Sequence, residues 1–106
     1  MAMTPAVHDG FGYELIGQTT SVARVEFPID YSKYKFLLVA SCVSNGAIVA
    51  STMIPADTMS SAHQVQARWH DNGADNLAMI EYNDTTKIKL NTNNSNYTAK
   101  VYGISI

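Results

Sequence analysis

The residues best suited to chemistry in this chain lie in two short stretches, "RWHDNG" from Arg68 and "NTNNSNY" ending at Tyr97. Trp69 is the one tryptophan, and it stands beside Arg68, His70, Asp71 and Asn72. An exposed indole next to hydrogen-bonding side chains can stack on a flat apolar ligand face such as that of a sugar ring, whereas a buried indole fills a core. Asn94, Asn96 and Tyr97 add neutral amides and a phenol, groups that pair readily with saccharide hydroxyls. Both stretches also have a plainer reading. Asn, Asp, Ser and Gly bond local backbone and tolerate left-handed conformations, so "DNGADN" and "NTNNSN" make good turns. Alternation along Gln64–His70 puts Trp69 on the side of Val65 and Ala67, the core side of a strand. The candidate ligand-binding residues are therefore Trp69, His70, Asp71, Asn72, Asn94, Asn96 and Tyr97.

Metal and covalent chemistry have less to stand on. His63 and His70 are seven apart, so on one extended strand they would point to opposite faces; Asp71 adds a single carboxylate, and His8 lies far away near the start. No convergent set of His, Cys and carboxylate ligands follows from such spacing. There is no G-x-S-x-G elbow and no local Cys-His signature. The acids Glu14, Glu26, Asp30, Asp57, Asp71, Asp75, Glu81 and Asp84 fall where strand faces and turns place acids, and a glycosidase pair would have to arise through tertiary contact. We expect a non-enzymatic protein with no cofactor and no bound metal. Cys42 is the lone cysteine, which rules out an intrachain disulfide; its setting in "VASCVS" is that of a small buried hydrophobe rather than a reactive thiol.

The totals narrow the partners. The chain has 106 residues, 46% hydrophobic and 15% charged, with a formal charge of -2. That size fits one domain with a modest core. Without a Lys/Arg cluster there is no electrostatic footprint for phosphates, so nucleic acid is not an expected partner. The longest apolar-leaning run, "KFLLVASCVSNGAIVAS", is interrupted by Lys35, Ser41, Ser44, Asn45 and Gly46. It falls short of the roughly 20 apolar residues of a spanning helix, so membrane insertion is not expected. No basic region followed by an apolar stretch marks a secretory leader. The sequons at Asn83, Asn93 and Asn96 carry weight only in a eukaryotic secretory route. Residues 1–10 read as a linker or added residues with further chain upstream, and residues 11–106 as a single domain.

Something must position the two stretches, and periodicity says that it is strands. Turn signals recur every eight to twelve residues or so, the spacing of an all-β sandwich or barrel. The expected strands are Phe11–Thr19, Val22–Ile29, Tyr34–Ser44, Ala47–Ile54, Gln64–His70, Leu77–Asn83, Thr86–Thr92 and Tyr97–Ile106. Val25, Phe27 and Ile29 alternate with polar neighbours, and Pro28 ends the ladder because it lacks an N–H. Phe36, Leu38, Ala40 and Cys42 form one apolar set and Leu37, Val39 and Val43 the other, which predicts a strand covered on both faces. Asn45-Gly46 predicts a type I′ hairpin. A second Asn-Gly at 72–73 and Asp84-Thr85 supply further turns. Together they give an antiparallel β-sandwich, jelly-roll-like, of about eight strands.

Two segments carry a resemblance. "YSKYKFLLVASCVSNGAIVASTMIP" and the closing "YTAKVYGISI" resemble the C-terminal domains of tail-fibre, baseplate and other minor structural proteins of phages and prophages. The first pattern is matched by Tyr34, Phe36, Leu37, Leu38, Val39, Ile54 and Pro55, the second by Val101, Tyr102, Gly103, Ile104 and Ile106. These are packing motifs, and no sugar-site motif comes with them. The resemblance implies a virion tail domain, extracellular otherwise, joined to an upstream fibre or baseplate segment and assembled as a homotrimer. A core-quality strand at the end of the sequence suits a fibre tip. Its partner would be a host cell-surface polysaccharide or protein. Two other readings stay open: a carbohydrate-binding module or lectin-like domain of a bacterial protein, and an architectural cap that binds nothing.

Overall fold

Short alternating segments joined by tight turns fold back on themselves, and the chain does so throughout. The computed structural model describes residues 12–59, 64–71 and 73–105. Its strands are β1 (Gly12–Thr19), β2 (Val25–Pro28), β3 (Phe36–Cys42), β4 (Ile48–Pro55), β5 (Gln64–Asp71), β6 (Ala74–Asp84), β7 (Lys87–Thr92) and β8 (Thr98–Ser105). They form two four-stranded antiparallel sheets: sheet A in the order β1-β8-β3-β4, and sheet B in the order β2-β7-β6-β5. The expected eight-stranded antiparallel sandwich is the observed fold. The pairings of β8 with β1 and β3, and of β2 with β7, bring the two halves of the chain together as in a jelly roll, while β3-β4 and β5-β6-β7 are plain hairpins. Phe11 and Ile106, the outer ends of the first and last expected strands, lie outside the described residues.

The proline and turn residues sit where their chemistry allows. Pro28 and Pro55 both end edge strands, where a missing N–H breaks no ladder. The first Asn-Gly hairpin differs in type from the expectation. Gly46 N–H donates to Val43 O at 2.8 Å and Val43 N–H to Ala47 O at 3.0 Å. Gly46, at φ 91°, is thus the left-handed residue closing a three-residue loop rather than a member of a two-residue type I′ pair. The Asn45 side chain holds the loop by accepting from Ala47 N–H at 2.9 Å. "DNGADN" is shorter as a turn than its composition suggests, since β5 and β6 already pair at Asp71 and Ala74, with Gly73 at φ 77°.

Between the sheets lie Leu37, Val39, Ala67, Ala78, Ile80, Ile88, Leu90, Ala99 and Val101, all essentially without exposure. The side edges are closed differently. On one edge the Phe27 ring of β2 lies against Gly17 of β1, so closely that a Cβ there would stand 2.5 Å from the ring. On the other, the Thr52 hydroxyl of β4 donates to Gln66 O of β5 at 2.8 Å, tying sheet A to sheet B. The crossover from β2 to β3 passes through a 3-10 turn at Tyr31–Lys33, capped by the Asp30 carboxylate, and delivers Tyr34 onto β8. There the Tyr34 ring covers Gly103, and its hydroxyl donates to the Glu14 carboxylate of β1.

The two-sided apolar strand is only half as expected. The inward set Leu37, Val39 and Ser41 faces sheet B. Of the outward set, Ala40 and Cys42 are enclosed by their neighbours, but Phe36 and Leu38 are half-exposed, with no further layer of the described chain over them.

Candidate functional site

The end of the sandwich that carries the β5-β6 turn and the β7-β8 loop gathers part of the candidate set. Trp69, on the inward side of β5, meets Tyr97 at a ring-centroid distance of 4.9 Å and an interplanar angle of 71°. That edge-to-face arrangement matches the quadrupoles of the two rings. The indole N–H donates to the Ser41 hydroxyl of β3 at 3.1 Å, which bridges the sheets and fixes the orientation of the ring. Both rings are half-buried, so they close the end of the core and leave part of their surface at the rim. Ser41 was not among the residues expected here. The signal for it is that it is the one hydroxyl on the inward set of β3.

The loop beside this pair is held by its own amides and hydroxyls. Asn93 continues the edge of β6: its side chain accepts from Leu77 N–H at 2.9 Å and donates to Asp75 O at 2.9 Å. Thr92 donates its hydroxyl to Asn94 O at 3.1 Å, and the Asn94 side-chain oxygen accepts from Asn96 N–H at 3.0 Å. Tyr97 N–H then donates to Asn94 O at 3.0 Å, which sets the phenol ring against Trp69. Asn94 therefore serves the turn, while Asn96 is exposed. Asn72 lies outside the described residues.

His70 does not join this group. Alternation puts His70 on the outer face of sheet B, where its Nδ1 lies 2.9 Å from Asp75 Oδ1, and Arg68 adds a 3.6 Å contact to the same carboxylate. Asp71, two positions beyond Trp69, keeps to the same side of β5 and is exposed at its last pair. The candidate residues thus divide into an aromatic and amide rim (Trp69, Tyr97, Asn94, Asn96), with Asp71 on the same side of β5, and His70 in a charged cluster around Asp75 on the opposite face.

The titratable groups serve turns and ion pairs. Cys42 is enclosed, and desolvation pushes its thiol up and away from the thiolate a nucleophile needs. Among the described residues no group of three His, Cys, Asp or Glu side chains could hold a metal ion. Tyr31 is pushed up to about 12 by burial and by neighbouring Tyr82 and Asp84; its hydroxyl donates to Lys87 O at 3.0 Å. Burial likewise raises Tyr34, with the bond to Glu14 adding to it.

Four exposed carboxylates are held below their usual range. The Tyr34 hydroxyl does this for Glu14, the Ser32 hydroxyl for Asp30, His70 for Asp75, and the Thr86 backbone N–H for Asp84. A carboxylate lowered in the folded state stabilises the fold fully above its unfolded value of about 4 and loses that contribution as pH falls through the folded value. The melting temperature should therefore hold level between about pH 5 and about pH 9 and drop progressively below about pH 4. In an Asp30→Asn/Asp84→Asn variant the amides still accept the Ser32 and Thr86 bonds but no longer titrate, so the acid drop should be smaller. Thermal melts across the acid range check this, and an unchanged drop in the variant would refute it.

Comparison of the chain with protein-family models, with curated proteins and with solved structures returns no match.

Proposed function

We propose that this chain is a non-enzymatic binding domain, the tip of a phage tail fibre or receptor-binding protein, which attaches to a glycan or protein on a bacterial surface. The observation that carries the binding half of this reading is the rim at one end of the sandwich. An indole is fixed by Ser41 and edged by Tyr97, and the residue before Tyr97 in the chain is an exposed, uncharged amide, Asn96. A half-exposed aromatic surface with neutral amides suits the apolar face and hydroxyls of a sugar better than it suits a charged ligand. The viral half rests on the two motifs, which fall on β3, β4 and β8, three adjacent strands of sheet A, and meet where Tyr34 covers Gly103. In this reading the domain is homotrimeric and extracellular on the virion, and several weak sites act together through avidity. That the rim is built within one chain favours a second reading, a self-contained carbohydrate-binding module of a bacterial protein.

Adsorption to intact bacteria and to an array of bacterial surface polysaccharides tests the proposal. A specific polysaccharide or strain should be bound, and Asn96→Ala should weaken that binding at least tenfold, about 1.4 kcal/mol, without moving the melting temperature. Full binding by the variant would remove the rim from the proposal, and failure to bind any cell or polysaccharide would overturn the attachment reading itself.

A further inference from the structure

We propose that the outer face of sheet A is the surface on which a second copy of this chain docks. The two outer faces of the sandwich are opposite in character. That of sheet B is crossed by ion pairs, Arg24–Glu81 at 2.7 Å, Arg68–Asp75 at 3.6 Å and Lys87–Glu26 at 3.8 Å. On the strands of sheet A, pairing register places Tyr13, Leu15, Leu38, Met53, Tyr102 and Ile104 together on the outside, and among the described residues Lys100 is the one charged residue of that face. Tyr13 is 63% exposed, Met53 55%, Ile48 51% and Leu15 45%. A depression of about 360 Å³ lined by Tyr13, Leu38, Ile48, Tyr102 and Ile104 runs over all four strands.

Three observations select a second copy as the occupant. The first is size: four strands about 4.8 Å apart and about 25 Å long present roughly 500 Å², so two faces together remove roughly 1,000 Å² from water, the level at which specific interfaces begin. The second is charge. A face that is neutral but for Lys100 offers nothing to a strongly charged partner and little repulsion to its own copy, and the outer face of sheet B, with its ion pairs, is no complement to it. The third is shape, since the face carries both the depression and, beside it, protruding Met53 and Leu15 side chains able to enter the same depression on another copy. The outward apolar set of β3 then gains the cover that its two-sided pattern calls for. The rim at Trp69 and Tyr97 lies between the sheets at one end of the sandwich, so association through this face leaves it open.

The test is the mass of the intact chain by light scattering after size exclusion, over a concentration series, for the wild type and for Tyr13→Glu and Met53→Glu. Both positions are exposed, so the variants should fold with unchanged circular dichroism. The wild type should show the three chains of the homotrimer proposed above, and each variant should fall to the single-chain 11.6 kDa at concentrations where the wild type stays assembled. A wild type that is monomeric throughout, or variants that keep the assembled mass, would overturn the inference. Binding of a short oligosaccharide, counted per chain, separates this result from the attachment reading, because the variants leave the rim intact and a chain that binds no glycan still reports its mass.

Discussion

Replacing Gly103 by alanine should destabilise the protein by about 3 kcal/mol, as overpacking of a closed site does, and lower its melting temperature by roughly 15 °C. Gly103 is buried on the inward side of β8 and needs no positive φ, so the reason for glycine there is space. The Tyr34 ring lies against Gly103, and a Cβ would stand well within contact distance of three of the ring's carbons. The ring cannot swing away cheaply. Its hydroxyl is bonded to Glu14 of β1, and its backbone N–H is bonded to Tyr31 O in the turn that carries it. Moving Tyr34 would therefore disturb β1, the 3-10 turn and the start of β3 together. A double variant isolates the cause. With Tyr34→Ser in place the added methyl has room, so Gly103→Ala on that background should cost little more than Tyr34→Ser alone. Gly12, whose Cβ would meet Ser105 Oγ at an ordinary 3.4 Å, provides a control at the same end of β1 and β8. A Gly103→Ala protein that melts with the wild type would show that the ring yields freely.

That contact also shows what the sequence carried and what it did not. Alternation along β5 and the double apolar set of β3 were readable because a strand's period of two puts every second side chain on one face. They placed Val65, Ala67, Leu37 and Val39 inside, as the structure has them. The motifs around Tyr34 and Gly103 were visible as patterns, but their reason was not. The two residues lie in separate strand regions, and only the pairing of β8 with β3 brings the ring over the glycine. The candidate site was legible to a similar depth. The chemistry of Trp69 and Tyr97 is visible in the sequence, whereas Ser41, which orients the indole, comes from the opposite sheet. His70 is the converse case: a sequence neighbour of Trp69 that strand alternation sends to the other face of β5, where Asp75 holds it. The pattern of β3 predicts cover on both faces, whereas Phe36 and Leu38 of its outward set are half-exposed, because alternation reports that both faces are apolar and not what lies over each of them.

The same division between neighbours in sequence and neighbours in space governs Trp69. Trp69→Ala should destabilise the protein by about 3 kcal/mol, at the lower end for removal of a large aromatic because the ring is only half-buried. The loss has three parts: the packing of the indole over the end of the core, its edge contact with Tyr97, and the N–H bond to Ser41. Trp69→Phe separates them. It keeps most of the packing and an aromatic edge for Tyr97 but cannot donate to Ser41, a nearly fully buried hydroxyl, so it should cost about 1 kcal/mol. Chemical denaturation of both variants measures these values. Polysaccharide binding read on the same proteins then tests the rim. If the exposed part of the indole is the stacking surface, Trp69→Phe should weaken binding while the protein remains almost fully folded, because a smaller ring without the Ser41 bond is neither as broad nor as firmly oriented. Equal binding by wild type and Trp69→Phe, with the expected loss of stability, would leave Trp69 as a core residue that shapes the loop at Asn94–Tyr97 and would move recognition to the amides alone.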